Sequence, residues 1–127
     1  MMTPTQFSGV CLVTGDVPRL RRFYEQALQV GATGDDSPAI LEVQGAQLTL
    51  FPADGIEDLA PGAMQGAGTG CVILEFAVED VDRAAERLTG LGAPQVKPPQ
   101  THPWGRRSAW FRDPDGNLLN LYSAVAG

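Results

Sequence analysis

The four residues Asp16-Val17-Pro18-Arg19 recur, sixty-four positions later, as Asp80-Val81-Asp82-Arg83. A chain of 127 residues makes one domain, or two small modules sharing a core, so a repeat at that spacing means two copies of one small unit. Each copy opens on an apolar run, residues 10–13 and 71–78, that reads as a strand. A helix follows each run. Asp16 and Asp80 stand where N-caps are needed, and Pro18 suits a first turn. Leu20, Phe23, Tyr24, Ala27 and Leu28 share one face at helical spacing. The second helix, residues 81–91, repeats this with Val81, Ala84, Ala85 and Leu88 and stops at Gly90-Leu91-Gly92.

The ends of the copies also correspond. The run from Gly45 to Phe51 parallels the run from Gly116 to Tyr122 at an offset of 71, and the seven extra residues fall in a loop. Each copy is therefore strand, helix, then three strands. The expected fold is α+β: two tandem βαβββ modules, residues 7–53 and 71–124, joined by a Gly- and Ala-rich linker at 54–70. Their strands form a curled mixed sheet around a concave pocket, with the helices outside.

Two turns set the register. Asp113-Pro114-Asp115-Gly116-Asn117 signals a type I turn closed by a left-handed glycine, so Asp113 faces Asn117. Counting outward pairs Phe111 with Leu119, Trp110 with Asn120 and Ser108 with Tyr122. A two-residue turn at Gln44-Gly45 pairs Leu41 with Leu48, Glu42 with Gln47 and Ile40 with Thr49. Leucines and Phe111 then cover one face and pack on the helices. The other face carries Glu42, Gln47, Thr49, Phe51, Trp110, Asn120 and Tyr122, joined from the first strands by Gly9, Cys11, Val13, Ile73, Glu75 and Ala77. Such a face lines a small-molecule pocket, or else fills a sandwich or dimer interface.

Composition narrows the partners. With 43% apolar residues the chain can bury a core, and nine basic residues against fifteen acidic ones give a net charge of −6. That balance opposes nucleic acid and anionic lipid and favours a neutral or cationic small molecule. No apolar run approaches the ~18 residues of a membrane span, and residues 1–8 have no basic head, so a cytoplasmic location is expected. Cys11 and Cys71 sit in apolar runs and read as buried thiols of a reducing compartment, not as a disulfide.

The candidate ligand-binding residues are Cys11, Phe51, Ile73, Glu75, His102, Trp104, Trp110, Asn120 and Tyr122. Glu75 sits in an apolar strand, where a buried carboxylate needs a partner, a raised pKa or a ligand. His102 lies in a loop, either as a hydrogen-bonding or proton-carrying group at the pocket mouth or simply exposed. Trp104 and Trp110 stack on a flat ligand or fill the core. Arg106, Arg107 and Arg112 form a basic cluster that holds an anion or balances Asp113 and Asp115. There is no arrangement of serine, cysteine and histidine for a nucleophile, and no phosphate loop.

From residue 10 to residue 122 the chain resembles the vicinal oxygen chelate superfamily, which holds glyoxalase I, extradiol dioxygenases, fosfomycin-resistance transferases and bleomycin-resistance proteins. The repeated helix starts carry this, and above all the run from Pro103 to Tyr122 through Asp113-Pro114-Asp115-Gly116-Asn117. The resemblance implies metal ligands on the first and last strands of each module, at positions that here hold Gly9, Thr49, Ile73 and Asn120. None is a histidine or carboxylate. A two-residue change of register would instead bring in Cys11 and Glu75, a pair that could bind a soft metal. The expectation is a small-molecule-binding protein like the bleomycin-resistance branch, with no metal and no cofactor. The alternatives are a lyase or dioxygenase with atypical or no metal ligands, and a regulatory or assembly module with a vestigial cavity. The resemblance also implies a homodimer paired through sheet edges.

Overall fold

The computed structural model describes residues 7–65 and 72–125. The chain forms two compact units, one ending at Ala67 and the other beginning at Gly68. The first contains strand β1 (Gly9–Thr14), helix α1 (Val17–Leu28), strands β2 (Thr33–Gly34), β3 (Ala39–Val43) and β4 (Ala46–Pro52), and helix α2 (Ala53–Leu59). The second contains β5 (Ile73–Ala77), helix α3 (Val81–Gly90), β6 (Gln95–His102), β7 (Arg106–Arg112) and β8 (Leu118–Ala124).

Each unit folds its strands into a four-stranded mixed sheet, in the order β1-β4-β3-β2 and β5-β8-β7-β6. Within each sheet the first strand pairs parallel to the last, and the remaining neighbours are antiparallel. The two copies share one register. The offsets of 64 and 71 that relate their sequences carry the facing pair Cys11 and Thr49 onto the facing pair Glu75 and Asn120.

The helices start where the repeat places them. Asp16 accepts a hydrogen bond from the Arg19 amide and Asp80 one from the Arg83 amide, each at 3.1 Å, which satisfies one orphan donor per helix. Thr14 adds a contact, its buried hydroxyl accepting from the Asp16 amide at 3.1 Å. The apolar faces then meet the sheets: Leu20, Tyr24 and Ala27 of α1 are buried with Leu41, Leu48 and Leu50, and Val81, Ala84, Ala85 and Leu88 of α3 with Phe111, Leu119 and Leu121.

Both hairpins pair as expected: Leu41 opposite Leu48, Glu42 opposite Gln47, Trp110 opposite Asn120 and Ser108 opposite Tyr122. At the second turn Gly116 has a φ of 89°, a left-handed backbone that a side chain would strain, and its amide donates to the Asp113 carbonyl at 2.9 Å. The stretch 54–70 is not wholly irregular. Most of α2 lies in it, seven residues long and without a side-chain cap, while residues 66–71 lie outside the described part.

Cys11 departs from the buried thiol expected of it. It points away from α1 on an edge strand and is exposed, although partial burial still pushes its thiol up from the ordinary range. Cys71 lies outside the described residues. Among the described residues, no helix is long and apolar enough to cross a membrane.

Candidate functional site

The sheet face of the second unit that points away from α3 gathers most of the candidates. Alternation along the strands puts Ile73, Glu75 and Ala77 of β5 on that face, with Leu118, Asn120 and Tyr122 of β8 and Arg106, Ser108 and Trp110 of β7. The residues between them, Leu119, Leu121, Ala109 and Phe111, are buried on the helix side.

Asn120 is the centre of this face. Glu75 faces it from β5 and Trp110 from β7. Its Nδ2 donates to Glu75 Oε2 at 3.0 Å. The residue is only 7% exposed, yet its Oδ1 has no hydrogen-bond partner. With a carboxylate on one side the amide must turn its nitrogen there, which leaves the oxygen unpaired. Glu75 itself is exposed, so the burial cost expected of its carboxylate does not arise; Asn120 is the partner it was expected to need.

Toward the far end of the face the polar groups hold one another. His102 is the last residue of β6 rather than part of a loop, and its Nε2 lies 3.1 Å from the buried Ser108 hydroxyl. Trp104 neither fills the core nor sits on the sheet. It is 73% exposed and its ring stacks on His102, with centroids 4.3 Å apart and planes 3° from parallel. The Arg106 guanidinium lies over the Tyr122 ring at 3.9 Å. Trp110 is half-buried, and Ile73, at the start of the edge strand, is 45% exposed.

The basic cluster expected from the sequence disperses. Arg107 points to the helix side, where its guanidinium grips both Asp82 carboxylate oxygens at 2.9 and 2.7 Å and draws the Asp82 pKa below the ordinary carboxylate range. Arg112 donates to the Gly116 carbonyl at 2.9 Å. Strand alternation sends Arg107 to the opposite face from Arg106 and Arg112, which stand at the two ends of β7. A surface groove between α3 and β6, with Asp82, Glu86, Thr89 and Gln95 in its wall, lies apart from the open face and has no aromatic ring to take a flat ligand.

The remaining candidates, Cys11 and Phe51, belong to the open face of the first unit, beside Thr49 and Val13. Phe51 is half-buried, and its ring lies so close to Gly55 of α2 that a Cβ there would collide with it. The helix that the sequence reading missed thus covers part of this aromatic side chain. The signal for Asn120 as the hub was present in the turn, since counting from Gly116 puts it opposite Trp110; its orphaned oxygen was not readable.

Comparison with known proteins agrees with the fold. Residues 6–121 match the Glyoxalase/Bleomycin resistance protein/Dioxygenase superfamily. Among curated proteins the chain is similar to YraH of Bacillus subtilis (strain 168), with 38% identity over 64 residues; the match spans 50% of this chain and 50% of that protein. Among solved structures it is similar to a glyoxalase/bleomycin resistance protein/dioxygenase from Nocardioides, with 25% identity, a TM-score of 0.80 and coverage of 100% of this chain and 88% of the other. A family enzyme from Burkholderia phytofirmans PsJN shares the fold at 18% identity and a TM-score of 0.85, covering 95% and 100% of the two chains.

Proposed function

Because the chain belongs to the glyoxalase/bleomycin resistance protein/dioxygenase superfamily, we propose that it is a metal-independent binding protein of the cytoplasm, which holds a flat aromatic or cationic small molecule against the open sheet face of its second unit. The observation that carries this reading is the juxtaposition of Trp110, Asn120 and Glu75 across three adjacent strands. Trp110 offers apolar area for stacking, while the amide and carboxylate fix orientation.

The donor set supports binding without a metal. At the positions where the superfamily resemblance implies ligands, Ile73 has no donor atom, and a Cβ on Gly9 would run into the Gln47 carbonyl, so no ligating side chain fits there. Thr49 and Asn120 supply only neutral oxygens. Among the described residues no group of three His, Cys, Asp or Glu side chains converges, so Cys11 and Glu75 gain no third ligand of these types. Those residues do not suit a divalent ion.

Edge strands β1, β2, β5 and β6 support a homodimer paired through sheet edges. Light scattering at micromolar concentration is expected to report twice the chain mass.

The test is a fluorescence screen of flat aromatic compounds with Trp104→Phe protein, so that Trp110 reports alone. Binding that Trp110→Ala weakens by about 1–3 kcal/mol, measured by calorimetry, is expected. Elemental analysis is expected to find no stoichiometric metal in protein purified without chelator. One removable metal per chain, together with turnover of a substrate, would replace this reading with a lyase or dioxygenase.

A further inference from the structure

The open face of the second unit has an unequal supply of donors and acceptors around Trp110. We propose that its ligand presents two adjacent N–H groups on a flat ring, as an amidine or an amino-substituted nitrogen heterocycle does, one bonded to Asn120 Oδ1 and the other to the Glu75 carboxylate. The proposal rests on the reading of this face as a ligand site and narrows the chemistry it takes.

Asn120 Oδ1 is a buried acceptor with no hydrogen-bond partner, an unfavourable state that an arriving donor relieves. Asn120 faces Glu75 on one neighbouring strand and Trp110 on the other, so a ring stacked on Trp110 lies next to the Asn120 amide. Glu75 adds a second acceptor on the facing strand: Oε2 takes the bond from Asn120 Nδ2, and the carboxylate has further lone pairs and solvent exposure. Glu75 and Asn120 face each other on neighbouring strands, so both acceptors stand beside Trp110 on one face.

Three donor side chains of the same face are engaged elsewhere. Arg106 covers the Tyr122 ring, Arg112 bonds the Gly116 carbonyl, and the His102 ring nitrogen contacts Ser108. Lys97, opposite Trp110 on the edge strand, is exposed. A ligand edge made of acceptors would therefore meet acceptors at Asn120 and Glu75. The chain's net charge of −6 favours the cationic form of such a donor.

Benzamidinium, benzonitrile and benzoate form the test, because all three present one flat ring and differ in the group it carries. With Trp104→Phe protein and Trp110 emission as readout, benzamidinium is expected to bind at least tenfold more tightly than the other two. Glu75→Gln, at an exposed position, is expected to weaken benzamidinium about tenfold and benzonitrile by less than twofold. Asn120→Leu is expected to remove the preference, and a thermal melt of that variant separates lost binding from lost folding. Equal binding of all three rings, or tighter binding of benzoate, overturns the proposal while the aromatic site stands. If no ring binds, the proposal and the aromatic site fall together.

Discussion

Asp113 and Asn117 clasp the last hairpin through three hydrogen bonds. Asp113 Oδ1 accepts from the Asn117 amide and Oδ2 from Asn117 Nδ2, both at 2.9 Å, and the Asn117 carbonyl accepts from the Asp113 amide at 2.9 Å. Asp113 is only 3% exposed, so the carboxylate is a buried polar group whose bonds are made within the turn. Asp113→Ala leaves those donors unmet and is expected to cost about 2–4 kcal/mol by urea denaturation. Asp113→Asn, which keeps one acceptor, is expected to cost less. Equal stability of the alanine variant and the wild type would refute this role.

The two aromatic side chains Phe111 and Trp104 predict opposite outcomes. Phe111 is fully buried against α3, and its truncation to alanine is expected to cost about 3–5 kcal/mol. Trp104 is mostly exposed and touches His102, so Trp104→Ala is expected to change stability by less than about 1 kcal/mol. Paired denaturation curves check both.

A stability difference between wild type and Arg107→Gln is expected to depend on pH. The folded-state pKa of Asp82 is depressed by the Arg107 guanidinium, so the pair contributes at neutral pH, above the unfolded carboxylate range. That contribution is lost as pH falls through the depressed value. Melting temperatures recorded between pH 7 and pH 2 are expected to converge at the acid end, and at neutral pH the gap is expected to shrink in high salt.

At Gly9 the backbone of β1 runs so close to the Gln47 carbonyl that a side chain cannot fit without a shift. Gly9→His is therefore expected to destabilise the chain by about 1–3 kcal/mol and to confer no stoichiometric zinc or nickel on dialysis. Stable protein with bound metal would show that the strands can separate there.

Alkylation of Cys11 in a Cys71→Ser background is expected to lag behind a free thiol at pH 8 and to catch up at higher pH, since desolvation holds the thiol protonated. Iodoacetamide labelling followed by mass spectrometry checks the profile.

What could be read from the amino acids divides along physical lines. Register was legible because a Gly116 turn admits few geometries, and one count from it brings Trp110 opposite Asn120. Helix starts were legible because Asp16 and Asp80 each precede an apolar face of period 3.6. Helix α2 was not, since seven residues without a cap or a buried side chain carry no periodic signal. The exposure of Cys11 escaped because an apolar run does not reveal that its strand ends on a sheet edge. The dispersal of Arg106, Arg107 and Arg112 depended on which partner each face supplied, and Asp82, twenty-five residues from Arg107, is invisible to a local count.

The parallel pairing of the first strand of each copy with its last sets an order in time. A hairpin such as β3–β4 or β7–β8 closes within about 1–10 μs once both strands exist, because its ends are already near each other. Gly9 finds Gln47, and Glu75 finds Asn120, only after a helix and two further strands lie between them, so these contacts carry the greater loop-closure cost. During synthesis β1 is therefore the oldest strand of its unit and the last to be partnered. The same delay recurs at β5: each copy leaves the ribosome with an unpaired apolar strand at its head, and only the arrival of its final strand covers it.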